Sequence, residues 1–249
     1  MKKGFWIIVK DIIRKSDIVL EVLDARFPEL TRIRNMEEYA LFLQKQLILV
    51  INKADIVSET TLRNIKEQYK NSDYIIISTK MSKGINGLLK KIKNTKIKNA
   101  RVAVIGYPNT GKSCLINKLS KGAKVRTSSE SGFTKGLQLI AGKNKTRLFD
   151  TPGVVPFRDR DEVRLGLVSG ISPSKLKDPD IVAYKLVEIF MRTNPFALEI
   201  AYGIKTKNPE DFLIEFGKKN NMLMKGGIID ERRAAIQLLT DWHKGKIRL

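Results

Sequence analysis

The chain has 249 residues, 42% of them hydrophobic and 29% charged, which fits a soluble globular protein with one full domain and a smaller second one. A single cysteine, Cys114, excludes a disulfide framework and points to a reducing, cytoplasmic setting. The net charge of +21 is uneven: residues 80–147 carry 17 Lys and Arg against one acid, Glu130, whereas residues 1–79 carry 13 against 11. That excess is more than a phosphate site needs and favours a polyanion-binding surface over a merely solvated lysine-rich face. Charge alone does not separate RNA from DNA; RNA is the polyanion expected.

In chain order, residues 1–16 read as an amphipathic helix. Their apolar run of residues 5–9 is broken by Lys10 and Asp11, too early for a signal-peptide core, and no later run reaches membrane-span length. Residues 18–25 form an apolar strand that runs into Asp24-Ala25-Arg26-Phe27-Pro28. Helices are predicted at 37–46, 59–69, 85–98 and 112–119, and strands at 47–52, 74–78 and 101–105. Residues 137–141 and 146–149 read as a strand pair joined by Gly142-Lys143-Asn144-Lys145. Apolar strands alternating with helices predict an α/β domain, a mostly parallel sheet covered on both faces, over residues 1–172. From 173 to 249 only helices are expected. One covers 181–191, one begins at Asn208-Pro209-Glu210-Asp211, and one is capped by Asp230 and ended by Gly245.

Three motifs carry the chemistry. Gly106-Tyr107-Pro108-Asn109-Thr110-Gly111-Lys112-Ser113 follows a strand and opens a helix, the context of a phosphate loop. Its glycines let backbone N–H groups of Asn109, Thr110, Gly111 and the helix start through Cys114 curl around phosphates. Lys112 neutralises the β- and γ-phosphates, and the Ser113 hydroxyl is a Mg²⁺ ligand. Asn52-Lys53-Ala54-Asp55 ends a buried strand, where the Asp55 carboxylate can accept from N1–H and N2–H₂ of guanine. Twenty-three residues beyond Asp55, Ser78 and Thr79 stand at another strand end, placed to pack under the base. Asp150-Thr151-Pro152-Gly153 supplies Asp150 to Mg²⁺ through water and the Gly153 N–H to the γ-phosphate. Thr134, in the polar segment 127–136, is the candidate for a second Mg²⁺ ligand, with a plain solvent-facing threonine as the alternative.

The base-reading motif precedes the phosphate loop, the reverse of the ordinary order. Together these features resemble the circularly permuted GTPases of the YlqF/YawG type, which include ribosome biogenesis GTPase A. Asp24-Ala25-Arg26-Phe27-Pro28 looks like that family's Asp-Ala-Arg-x-Pro signature, and Gly132-Phe133-Thr134-Lys135 like its switch motif. Gly226-Gly227 with Asp230 and the ending Gly245-Lys246-Ile247 are similar to its helical C-terminal domain. The resemblance implies a permuted P-loop domain bound to GTP or GDP with Mg²⁺, in a cytoplasmic monomer that works on the large ribosomal subunit or its precursor, and on rRNA, away from membranes. Asn109 matches an asparagine that coordinates K⁺ in related GTPases. Lys112, Thr134, Asn109 and Gly153 are then the candidates for catalysis.

Two departures bear on rate. Val154 stands where many GTPases place a water-orienting Gln, a substitution the family shares. The N-terminal Phe-Pro-Gly-His of bacterial members is absent; the only histidine, His243, is expected to be a surface or capping residue. Slow turnover is therefore expected, with RNA or a ribosomal particle as accelerator. The alternatives left open are an RNA-binding protein that holds GTP as a static ligand, and a GTPase acting on a non-ribosomal RNA. The permuted order also has Gly153 followed directly by the helical region, so movement of residues 151–160 on hydrolysis is expected to pass along the chain.

Overall fold

The computed structural model describes residues 4–122, 139–150, 161–206 and 208–249. Two compact units emerge, Met1–Arg158 and Asp159–Leu249.

The first unit is built on a six-stranded sheet with strands β1 (Ile18–Asp24), β2 (Gln46–Asn52), β3 (Tyr74–Ile76), β4 (Arg101–Ile105), β5 (Leu139–Ala141) and β6 (Arg147–Asp150). Their spatial order is β3-β2-β1-β4-β6-β5, all parallel except the edge strand β5, which runs against β6. The helices are α1 (Gly4–Lys15), α2 (Arg34–Phe42), α3 (Glu59–Gln68), α4 (Ile85–Asn94) and α5 (Lys112–Leu119). Alternation along the strands fills both faces. Leu20, Val22, Val50, Val102 and Val104 pack with Leu88 and Ile92 of α4 and Leu115 of α5, while Leu23, Leu49 and Ile51 pack with Ile65 of α3. Near-continuous aliphatic strands are what a sheet buried on both sides requires.

β4 and α5 have the predicted bounds; of the elements that differ, α2 and α4 do so for tertiary reasons. α2 starts at Arg34, not at 37, because its start is pinned from β1: the Glu21 carboxylate oxygen Oε1 accepts the Ile33 N–H at 2.6 Å. α4 stops at Asn94, not at 98, because Lys96 and Asn99 take left-handed conformations (φ of 60° and 53°) that turn the chain into β4.

The second unit contains α6 (Glu162–Leu167), α7 (Pro179–Thr193), α8 (Phe196–Tyr202), α9 (Pro209–Lys219) and α10 (Glu231–His243). Asn208 and Asp230 cap α9 and α10, accepting from Glu210 N and Arg233 N at 2.8 and 2.9 Å. Fully buried Trp242 stands edge-on to Phe190, ring centres 5.5 Å apart, and donates its indole N–H to the Leu167 carbonyl at 2.8 Å. His243 is half-buried, its Nε2 2.5 Å from the Gly166 carbonyl, so both side chains serve the last turn of α6. Gly166 also lets α6 press on α7, since a Cβ there would lie 2.7 Å from Val182. These contacts place residues 161–172 with the helices, and the units divide after Arg158, fourteen residues before the border expected at 172/173. Among the described residues, no helix is long and apolar enough to cross a membrane.

Glu21 is the anomaly of the first unit. It is fully buried in the central strand, and its Oε2 lacks a partner among the described residues. Burial first, and then the negative charge of Glu37, push its carboxyl well above the ordinary range, which favours the protonated form. A carboxyl raised in the fold costs stability as pH climbs above its unfolded value of about 4.3. Glu21→Gln, which imitates the protonated acid, should therefore be more stable than the parent at pH 7, with the gap closing below about pH 4. Urea unfolding at a series of pH values measures this, and a gap that does not vary with pH would contradict it.

Candidate functional site

The ends of β1, β2 and β4 converge at one edge of the sheet, and the site grows from there. β4 enters the phosphate loop through Gly106 (φ 146°), Asn109 turns at φ 59°, and Gly111 (φ 100°) opens α5. A Cβ on Gly106 would lie 2.5 Å from the Val22 carbonyl, and one on Gly111 2.3 Å from Asn52 Nδ2. Only glycine brings this loop so close to the neighbouring strands. Gly111 offers the first turn of α5 no side-chain cap, and that turn carries no acid. The amides at this helix start, with the positive end of its dipole, suit an anion. Lys112 is buried and donates from Nζ to the Tyr107 carbonyl at 2.5 Å, while Thr110 Oγ1 donates to the same carbonyl at 3.0 Å. Ser113 is half-buried in the first turn and Cys114 is exposed, so any part Cys114 plays comes from its backbone.

Asn52 joins the two halves. Its Nδ2 donates to the Thr110 carbonyl at 2.8 Å, and its Oδ1 accepts the Thr79 N–H at 3.0 Å. Ala54, in the short turn after β2, donates its N–H to the Ile77 carbonyl at 3.1 Å, and Ser78 donates its hydroxyl to Asp55 Oδ1 at 2.6 Å. That bond orients the Asp55 carboxylate and leaves Oδ2 and a further lone pair of Oδ1 to accept two side-by-side donors, the pattern guanine presents. Ser78 is in turn fixed by accepting the Met81 N–H at 3.0 Å.

One element of the site was not anticipated. Asp24 lies opposite Asn52 in the β1–β2 register and is buried. Its carboxylate accepts from Arg26 Nε at 3.0 Å, an Arg26 terminal nitrogen at 2.7 Å and Lys53 Nζ at 2.7 Å. Burial alone would raise this carboxyl, yet Arg26 and Lys53 overcome it and hold it well below the carboxylate range. Lys53 itself sits at φ 68°, rare for a side-chain-bearing residue, and burial lowers its ammonium pKa more than Asp24 restores it. The signal was in the sequence: Asp24-Ala25-Arg26 leaves β1 at the level where Asn52-Lys53 leaves β2.

Asp150 is placed by its backbone, at the end of β6 beside Val104, the residue two before the phosphate loop. Mg²⁺ takes few protein ligands and is bound largely through substrate phosphates, so the Ser113 hydroxyl in the first turn of α5 is a fitting donor. Thr134, Gly153 and Val154, together with the Gly132-Phe133-Thr134-Lys135 motif, lie outside the described residues.

Fold and loop together define a P-loop nucleotide-binding protein whose base-side strands come first in the chain. Residues 101–189 match the family described as 50S ribosome-binding GTPase. The chain is 32% identical over 241 residues to Ribosome biogenesis GTPase A of Thermotoga maritima, covering 96% of this chain and 86% of that protein. The crystal structure of GNP-bound YlqF from T. maritima superposes with a TM-score of 0.74 at 28% identity, covering 99% of this chain and 97% of that one. A 34% identical relative, the GTP-binding protein MJ1464 of Methanocaldococcus jannaschii, is longer: the chain spans 65% of its length, and only 59% of GTPase grn1 of Schizosaccharomyces pombe, also 34% identical; 96% of this chain is covered in both. This chain belongs to the family of ribosome biogenesis GTPase A, the circularly permuted GTPases.

Asp24→Asn leaves buried Arg26 and half-buried Lys53 against a neutral partner. Loss of one member of such a pair costs about 3–5 kcal/mol. Denaturant unfolding should show a loss of that size, and a change below about 1 kcal/mol would mean that the pair does not hold the strand ends.

Proposed function

We propose that this chain binds GTP and GDP and hydrolyses GTP slowly, as a switch in assembly of the large ribosomal subunit, acting through RNA. The observation that carries the reading is the Asn52 bridge, which couples the base-reading strand end to the phosphate loop in one site. In this reading Asp55 selects guanine, with Asn52, Lys53, Ala54, Ser78 and Thr79 shaping the base slot. Asn109, Thr110, Gly111, Lys112, Ser113 and Cys114 hold the phosphates by backbone amides and the Lys112 charge, and the Gly153 N–H answers to the γ-phosphate. Ser113, Asp150 and Thr134 hold Mg²⁺, which offsets phosphate charge when bound, and Asn109 is the residue that takes K⁺. Slow turnover follows from Val154, which has no group to orient water, and from a lone histidine that the structure engages at Gly166. The names of the relatives support the assembly role, and the net charge of +21 supports RNA as the contact.

Two measurements test this. Phosphate release in K⁺, with and without large subunits, should be slow alone and accelerated by the particle, and the chain should sediment with free large subunits in a non-hydrolysable GTP analogue but not in GDP. Equal sedimentation in both states with no turnover would instead identify a static GTP ligand. For base reading, Asp55→Asn should lower GTP affinity by roughly 10²-fold or more and turn preference toward xanthine nucleotide, since it replaces an acceptor by a donor opposite N2–H₂. Competition binding reads this directly, and unchanged preference would remove Asp55 from the specificity role.

A further inference from the structure

Several basic residues of the middle segment gather at the pole of the sheet opposite the phosphate loop. β4 starts at Arg101 and delivers the chain to that loop after Ile105, so about 16 Å of strand separates its two ends. α4 buries Ile85, Leu88 and Ile92. Of its lysines, Lys91 lies on one flank and pairs with Asp73, whereas exposed Lys90 and Lys93 lie on the other, three residues apart. The turn Lys143–Lys145 sits against that same flank, where Asn144 Nδ2 donates to the Leu89 carbonyl at 3.4 Å, and this brings exposed Lys143 and Lys145 beside Lys90 and Lys93. The Arg147 N–H donates to the Ala100 carbonyl at 2.9 Å, which sets the loop bearing exposed Lys96 and Lys98 next to exposed Arg147. Lys90, Lys93, Lys96, Lys98, Lys143, Lys145 and Arg147 have no acidic partner among the described residues.

From this arrangement we propose that the pole formed by the lower half of α4 and the turn Lys143–Lys145 docks the sugar–phosphate backbone of double-helical RNA; this rests on the RNA-directed function proposed above and assigns its place.

Three observations support it. Clustered like charges repel, and with Glu130 the only acid between residues 80 and 147 the segment supplies nothing to relieve that repulsion, so a polyanion does. The position at the start of β4 and β6 separates the cluster from the nucleotide phosphates, which leaves it without a task inside the GTP site. The nature of the surface selects duplex over single strand. Single-strand binders interleave basic groups with exposed aromatic platforms, and the aromatic residue this segment shows among the described residues, Tyr107, is fully buried. Lysines are point charges that follow a phosphate backbone without reading bases.

The test uses the full chain with Lys90, Lys93, Lys143 and Lys145 all changed to Gln, and a two-turn RNA duplex followed by fluorescence anisotropy across a salt series. The variant should bind the duplex at least tenfold more weakly, and its plot of log affinity against log salt should be shallower by about three. GDP affinity should equal that of the parent, which shows that the site and fold are intact. Unaltered duplex affinity and slope would overturn the assignment, as would tighter binding by the parent to the single strand of the same sequence. Retained duplex affinity with lost sedimentation on large subunits would mean that the pole meets an acidic protein, and would overturn it too. If large subunits ignore the parent in both nucleotide states, the assembly role fails, yet loss of duplex binding in the variant would still support the surface.

Discussion

The side-chain amide of Asn52 is where the nucleotide site becomes one object. Its two ends hold backbone groups from segments 31 residues apart in sequence, the Thr110 carbonyl in the phosphate loop and the Thr79 N–H beyond β3. Both bonds are buried, so losing either leaves a backbone group without water or partner, which costs about 1–3 kcal/mol. The amide is itself fixed because β2 is hydrogen-bonded on both sides, to β1 and β3, and its strand end cannot move independently of the sheet. Phosphate loop, base slot and sheet therefore share one mechanical reference.

Charge organisation follows from the same strand ends. Asp24 leaves β1 level with Asn52, and there it accepts Arg26 and Lys53 together. Two buried charges and the half-buried Lys53 would be costly if any of them lacked a partner, so the cluster penalises displacement of β1 against β2. Lys53 accepts a left-handed backbone in return for this anchor. The family signature around Asp24 thus has a structural reading: it positions the lysine of the base-reading motif.

Much of this was legible in the residue pattern. Aliphatic runs flanked by glycine and polar turns gave β1, β2 and β4 to within a residue or so, because a strand buried on both faces has almost no freedom in composition. The phosphate loop and α5 were legible because glycine spacing is dictated by close backbone approach. What escaped was set by long-range contacts. The start of α2 depends on a carboxylate twelve residues earlier, in β1. α6 and α8 are short, six and seven residues, and are stabilised by packing that no local period records. His243, expected as a surface or capping residue, is half-buried against a carbonyl 77 residues away that no local pattern shows. The Asp24 cluster was visible as a motif but not as a contact, since register between strands is not written in either strand alone.

The approach of Gly111 to Asn52 has a consequence for how such a site changes over generations. A Cβ at position 111 would intrude to 2.3 Å of the very nitrogen that secures Thr110. A larger residue at 111 thus demands a smaller one at 52, and a smaller one at 52 gives up the bridge. The two positions lie far apart in the chain and are reached in reversed order relative to ordinary GTPases, yet neither can drift without the other. The coupling does not depend on strand order, because it acts through space across two strand ends and not along the chain.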